Sequence, residues 1–97
     1  MRFSWDPRKA DSNFHKHGVA FDEAITVFAD PLALIFDDLE HSVEEHREII
    51  IGYSTLSRLI LVCFVERMDD TIRMISARRA TKDERKNYEK NVRKKNA

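Results

Sequence analysis

The most suggestive chemistry in this sequence belongs to its arginines. Arg67, Arg73, Arg78 and Arg79 fall close together late in the chain, and a carboxylate, Glu66, adjoins the first of them. A guanidinium is planar, stays protonated at neutral pH and presents a fork of N–H donors that matches phosphate oxygens. Beyond Arg79 come Lys82, Arg85, Lys86, Lys90, Arg93, Lys94 and Lys95, opposed only by Asp83, Glu84 and Glu89. The middle of the chain is acidic, with Asp37, Asp38, Glu40, Glu44, Glu45 and Glu48, so the formal net charge is +0. This asymmetry predicts a surface for a polyanion at one end and room for a basic partner elsewhere. A solvated helix with a frayed lysine tail explains the same run without a ligand. Arginines flanking a sheet can likewise pair with Glu66, Asp69 or Asp70. Both readings stay open.

Other chemistries have less support. The chain has no pair of histidines at i and i+4 flanking an acidic residue, and Cys63 is its single cysteine, so zinc is not expected. Asp37, Asp38, Glu40 and His41 could surround a divalent ion, but a solvated hairpin loop explains them better. The glycines are Gly18 and Gly52 alone, too few for a phosphate-cradling loop. Ser54 and Ser57 lack an activating neighbour. No cofactor and no metal are expected. A lone cysteine in an apolar run, with no signal-peptide or membrane-span pattern, predicts a cytoplasmic protein with no membrane partner.

These side chains need elements to position them. One domain over residues 1–97 is expected, since the length suits a single core. Arg2–Trp5 reads as a short strand with Phe3 and Trp5 on one face. Asp6 as cap, Pro7 at the first helical position and Gly18 after the last bound a helix over Pro7–His17. Phe21, Ala24, Ile25 and Phe28 make one face of a second helix, which Asp30-Pro31 stops. Leu32–Asp38, Arg47–Ser54, Arg58–Arg67 and Thr71–Arg79 are rich in β-branched and aliphatic residues and read as strands, the last pairs being close enough for hairpins. The continuous apolar runs Ile49–Ile51 and Leu59–Val65 predict strands covered on both faces. Thr81 and Glu84 have the spacing of a capping box that opens a last helix, docked by Tyr88 and Val92. The predicted class is α+β, with a short N-terminal strand, two helices, a four-stranded mostly antiparallel sheet and a C-terminal helix. Side chains alternate along a strand, so Arg78 and Arg79 should face oppositely, with Arg73 on the face of Arg79 rather than Arg78.

Two segments resemble a known family. Trp5-Asp6-Pro7-Arg8-Lys9, Asn13, Lys16-His17-Gly18-Val19 and Phe21-Asp22-Glu23-Ala24 form the first. Glu66-Arg67, Ile72 to Thr81, Glu84-Arg85 and Tyr88-Glu89 form the second. In order and spacing they look like the BrnT toxins of bacterial toxin–antitoxin pairs, over nearly the whole chain and most weakly at Leu39–Arg47. The resemblance implies a compact RelE-like fold. It also implies metal-independent RNA cleavage that inhibits translation, and neutralisation by a ribbon–helix–helix antitoxin of the BrnA type, through which alone operator DNA would be reached.

Such cleavage needs a base for the 2′-hydroxyl, cations around the phosphorane and an acid for the leaving 5′-oxygen. Arg67 and Arg78 are the expected catalytic cations, because the likeness falls on them most squarely. Arg73, Arg79, Arg85 and Tyr88 are expected substrate contacts, although Tyr88 can equally serve to dock the last helix. Glu66 leads as base, with the difficulty that neighbouring cations weaken a carboxylate base. His17 is the other proton-transfer candidate, since imidazole titrates near neutrality. Capping the helix end is its alternative role, and His15 lies on another helical face. A second function remains beside the enzyme: a non-enzymatic toxin or binding module that inhibits a protein target, or an antitoxin-bound co-repressor.

Overall fold

The computed structural model describes residues 1–96, with side chains described through residue 94. Its elements are β1 (Arg2–Ser4), α1 (Pro7–His17), α2 (Phe21–Thr26), β2 (Leu34–Asp37), β3 (Glu48–Tyr53), β4 (Leu59–Arg67), β5 (Thr71–Arg79) and α3 (Lys82–Asn96). The α+β class is as expected, but the sheet has five strands, ordered β1-β5-β4-β3-β2. The N-terminal strand expected to stand apart joins the sheet parallel to β5, with Phe3 opposite Ile72, while the remaining pairs are antiparallel. Burying Phe3 and Trp5 against the helix-side core accounts for this docking.

Local signals set the helix ends. Asp6 accepts a hydrogen bond from Arg8 N at 2.9 Å, Pro7 opens α1, and Gly18 closes it at φ 68°, a conformation costly for residues with a Cβ. The second helix is shorter than its apolar stripe suggested. It passes at Val27–Ala29 into a tighter 3₁₀ turn. The Thr26 hydroxyl bonds back to Glu23 O at 2.6 Å and accepts from Thr55 N at 3.0 Å, drawing this end toward the β3–β4 turn.

Two cores form, one on each face of the sheet. Between the sheet and α1 and α2 lie Val19, Phe21, Ala24 and Val27 against Ile50, Ile60, Val62, Phe64, Ile72, Met74 and Ala77. Asn13 pins α1 to β5: its Nδ2 donates to Val19 O and Ala77 O, and its Oδ1 accepts from Ala77 N, all at 2.9–3.0 Å. On the opposite face α3 covers Ile51, Leu59 and Leu34 with Tyr88 and Val92. The continuous apolar runs are thus covered on both sides only near Ile51 and Leu59; Ile49 and Cys63 lie beyond α3 and are half-buried, so the expectation of full cover is met in part. Where Gly52 sits, an added Cβ would lie 2.9 Å from Asp30 Oδ2 and 3.0 Å from Ala33 Cβ, so only glycine permits this approach.

One irregularity matters for function. Cys63 pairs with Ser76, but the next residue, Phe64, pairs with Met74, so Ile75 is an extra residue in β5. A bulge of this kind shifts the alternation by one. Val62 and Phe64 both face the helix-side core, and so do their partners Ala77 and Met74. Consequently Arg78, opposite Leu61, and Arg73, opposite Val65, share the other face. The expectation that Arg73 sides with Arg79 rather than Arg78 is corrected: uniform alternation fails at Ile75.

Candidate functional site

The α3 side of the sheet is only partly covered. Tyr88 and Val92 lie over Leu34, Ile51 and Leu59. Beyond them the strands carry Phe36, Ile49, Cys63 and Ser76 in one row across the sheet. In the next row Asp38 N donates to Arg47 O at 2.9 Å, Val65 faces Arg73, and Arg73 faces Ser4. Arg67 follows Val65 by two residues and so emerges on the same side. Strands lie about 4.8 Å apart, so long arginine side chains from neighbouring strands can converge over the short apolar row. Arg47, Arg67, Arg73 and Arg78 together make this open face cationic.

Each guanidinium is held differently. Arg78 makes a two-pronged contact with Glu84, Nη1 to Oε1 at 2.8 Å and Nη2 to Oε2 at 2.9 Å. Glu84 also accepts from Thr81 N at 2.8 Å while Thr81 Oγ1 accepts from Glu84 N at 3.2 Å, which is the capping box. Arg78 is foremost in holding the Glu84 carboxyl down to about 2, helped by the Thr81 amide against the opposing effect of burial. Arg67 donates from Nε and Nη2 to Glu45 at 3.2 and 3.0 Å, an exposed pair. Arg73 reaches only Ser4 Oγ, at 3.5 Å, and makes no ion pair among the described residues. Burial pushes the Cys63 thiol, in the middle of this face, above its ordinary value.

The other expected residues lie elsewhere. Glu66 is opposite Ile72, on the helix-side parity and exposed, so the strand pleat turns it away from Arg67. Arg79 is on the helix side as well, where its charge helps to lower Glu23. His17 is exposed at the end of α1, across the sheet from the open face. Arg85 donates to the Tyr53 hydroxyl at 3.0 Å. Tyr88 is buried, with its hydroxyl donating to Asp30 Oδ2 at 2.9 Å, and burial followed by that carboxylate raises its pKa. In this arrangement Tyr88 docks α3 and presents no ring to a substrate.

Sequence reasoning missed Arg47 and misread the acidic loop. The quartet Asp37, Asp38, Glu40 and His41 divides: Asp37 turns to the sheet edge and meets His46 Nε2 at 3.0 Å, whereas Asp38 turns inward to His41 and Cys63. Asp37, His46 and Glu48 keep their donor atoms within 4.8 Å of one another, an exposed edge grouping around that ion pair. The available signal was parity, since Asp38 continues the Leu34 and Phe36 side of β2.

The family model for BrnT, the ribonuclease toxin of type II toxin–antitoxin systems, matches residues 5–84. The chain belongs to the BrnT family. The BrnT match spans α1, α2, the bulged β5 and the Glu84 partner of Arg78, and it ends in the first turn of α3. Among solved structures, the chain is similar to the Brucella abortus ribonuclease toxin BrnT at TM-score 0.65 and 25% identity, covering 84% of this chain and 99% of that one. No curated protein matches the sequence. As a BrnT toxin the chain has an antitoxin as partner and RNA as its substrate class. Among the described residues no helix is long and apolar enough to cross a membrane.

Proposed function

We propose that this BrnT-family chain is a metal-independent endoribonuclease that stops translation in the cytoplasm, with its substrate phosphodiester lying on the open face among Arg47, Arg67, Arg73 and Arg78. The observation that carries this reading is the extra residue Ile75, which brings Arg73 and Arg78 to the side of Arg67. In the reaction the 2′-oxygen attacks the adjacent phosphorus. The O2′–P bond forms as the P–O5′ bond breaks, leaving a 2′,3′-cyclic phosphate and a 5′-hydroxyl. The 2′-hydroxyl proton goes to a base, and the departing O5′ takes a proton from an acid or water. Negative charge grows on the phosphorane oxygens, where fixed guanidiniums stabilise it more than they do the ground state. Arg73, without a carboxylate partner among the described residues, is the first docking point, and Arg67 and Arg78 exchange Glu45 and Glu84 for phosphate oxygens.

The antitoxin in this reading is a ribbon–helix–helix protein of the BrnA type, and operator DNA is met only through it. The cationic outer side of α3 supports an acidic antitoxin segment: Lys86, Lys90 and Arg93 line a shallow depression of ≈ 360 Å³ there. The deciding experiment incubates purified protein with a defined RNA, with and without chelator. Cyclic-phosphate ends in equal yield under both conditions are the expected result. Cutting that chelator abolishes would overturn metal independence. Intact RNA, with growth arrest on expression, would instead favour a toxin that inhibits a protein target.

A further inference from the structure

We propose that His41, oriented by the buried carboxylate of Asp38, is the group that takes the 2′-hydroxyl proton on this face. The proposal rests on the ribonuclease reading above and names the base that the reading requires. His41 Nδ1 lies 3.1 and 3.0 Å from the two carboxylate oxygens of Asp38. A carboxylate only accepts, so Nδ1 carries the hydrogen and Nε2 keeps the lone pair that a base needs. The Asp38 side chain is 9% exposed and the imidazole 61%, so the anchor is enclosed while the working nitrogen is open.

The anchor is itself fixed. Asp38 Oδ2 accepts from Cys63 Sγ at 3.6 Å, its backbone N donates to Arg47 O at 2.9 Å, and its carbonyl accepts from Ser42 Oγ at 2.7 Å. Ser42 Oγ in turn accepts from Arg47 N at 2.9 Å, closing the loop onto the start of β3. The histidine therefore stands at one end of the row that continues through Arg47 and Val65 to Arg73. It lines a depression of ≈ 310 Å³ with Arg47 and Glu45, the carboxylate that holds Arg67. A phosphodiester drawn from Glu45 to Arg67 would thus sit beside the imidazole.

The remaining histidines are placed otherwise. His15 and His17 are on α1 across the sheet, with His15 Nδ1 at Asp11 O, and His46 is paired with Asp37 at the sheet edge. In the step itself, Nε2 takes the proton as O2′ bonds to phosphorus. The resulting imidazolium is stabilised by Asp38, and O5′ leaves with a proton from water. The ionisable groups around His41 are Asp38, Glu40, Glu44 and Glu45 from its own loop, Arg47 just before β3, and Cys63 from β4.

The test measures single-turnover cleavage of a defined RNA against pH for wild type, His41→Ala, His41→Gln and Asp38→Asn, each checked for folding by thermal melting. General-base loss lowers the rate by about 10²–10⁴-fold. Both His41 variants should show that fall and lose the acid limb, and added imidazole should restore part of the His41→Ala rate. Asp38→Asn should retain the limb but move it to lower pH, a displacement that a merely structural role would not produce. If Asp38→Asn fails to fold, the exposed His41→Gln and the imidazole rescue decide alone. Well-folded His41 variants that cut like wild type, with the limb unmoved, would overturn the dyad and leave the ribonuclease reading intact. Wild-type protein that cuts no RNA would overturn both.

Discussion

The two faces of this one sheet are built on different principles. On the helix side, apolar side chains from three strands meet Val19, Phe21, Ala24 and Val27, and the polar groups among them are closed off. Asn13 satisfies three bonds to the backbone, and Glu23 is enclosed by Ser54 and by Arg58, whose guanidinium is foremost in lowering its pKa. Among the described residues no buried side-chain nitrogen or oxygen lacks a partner. On the open side, α3 covers part of the sheet and the rest carries Arg67, whose partner Glu45 is exposed, and Arg73, which makes no ion pair among the described residues. A satisfied face resists change, whereas a face with exchangeable partners can take a ligand. Changes on the first should therefore act on stability and changes on the second on activity.

The sharpest break between the faces is Arg73→Ala. Among the described residues Arg73 has no carboxylate partner and supports no core residue by hydrogen bonding. Removing one donor that faces a developing oxyanion costs about 10²–10³-fold in rate. Cleavage should fall by that much in a single-turnover assay, while the melting temperature stays near wild type. Glu66→Gln, on the other parity of the neighbouring strand, should lose far less. A comparable loss there would mean that the two faces do not divide the labour this way.

Asn13→Leu probes the helix side. The substitution keeps the branched outline of the side chain but strips three hydrogen bonds, leaving the Ala77 amide and two carbonyls enclosed without partners. Each such loss costs about 1–3 kcal/mol, so urea unfolding should show a total of at least about 3 kcal/mol. Cleavage per folded molecule should not change. A stable variant would mean that α1 is held by its apolar contacts alone.

Much of this division was legible from the residues. Asp6-Pro7 and Gly18 bounded α1 because caps are local chemistry, and Thr81 with Glu84 announced α3 for the same reason. The face of each arginine was not legible by counting in twos. Ile72 and Met74, then Ile75 and Ala77, carry the apolar positions of β5, and the adjacent Met74-Ile75 marks where the phase changes. That signal is in the sequence, yet only the pairing with Cys63 and Phe64 turns it into a bulge. Docking of β1 beside β5 joins residues from opposite ends of the chain, which no local pattern specifies. The Asp38–His41 pair was hidden because an acidic loop reads as solvated until one of its carboxylates is seen to point inward.

A pH prediction links α3 to the open face. Glu84 has its carboxyl depressed to about 2, chiefly by Arg78. A depressed acid stabilises the fold above its unfolded value and loses that contribution as pH falls toward the folded one. Wild type should therefore lose stability between about pH 4.5 and 2 through this group, and Glu84→Gln should flatten that part of the profile. Equal slopes in acid unfolding would show that the Arg78 pair contributes nothing to holding α3.

The smallest effect separates the faces most finely. Arg67 and Glu45 are both nearly half exposed, at 44% and 48%, and water screens such a pair. Exposed pairs contribute about 0.2–1 kcal/mol, so Glu45→Gln should leave unfolding within that margin. Its consequence should appear in binding instead. Freed of its carboxylate, Arg67 can meet a phosphate without first giving up a partner, and the negative charge beside the RNA path is gone. KM for a short RNA should fall by a few-fold with kcat little changed, most clearly at low salt, where screening is weakest. A KM that rises would mean that Glu45 holds Arg67 in its working position instead of competing with the substrate for it.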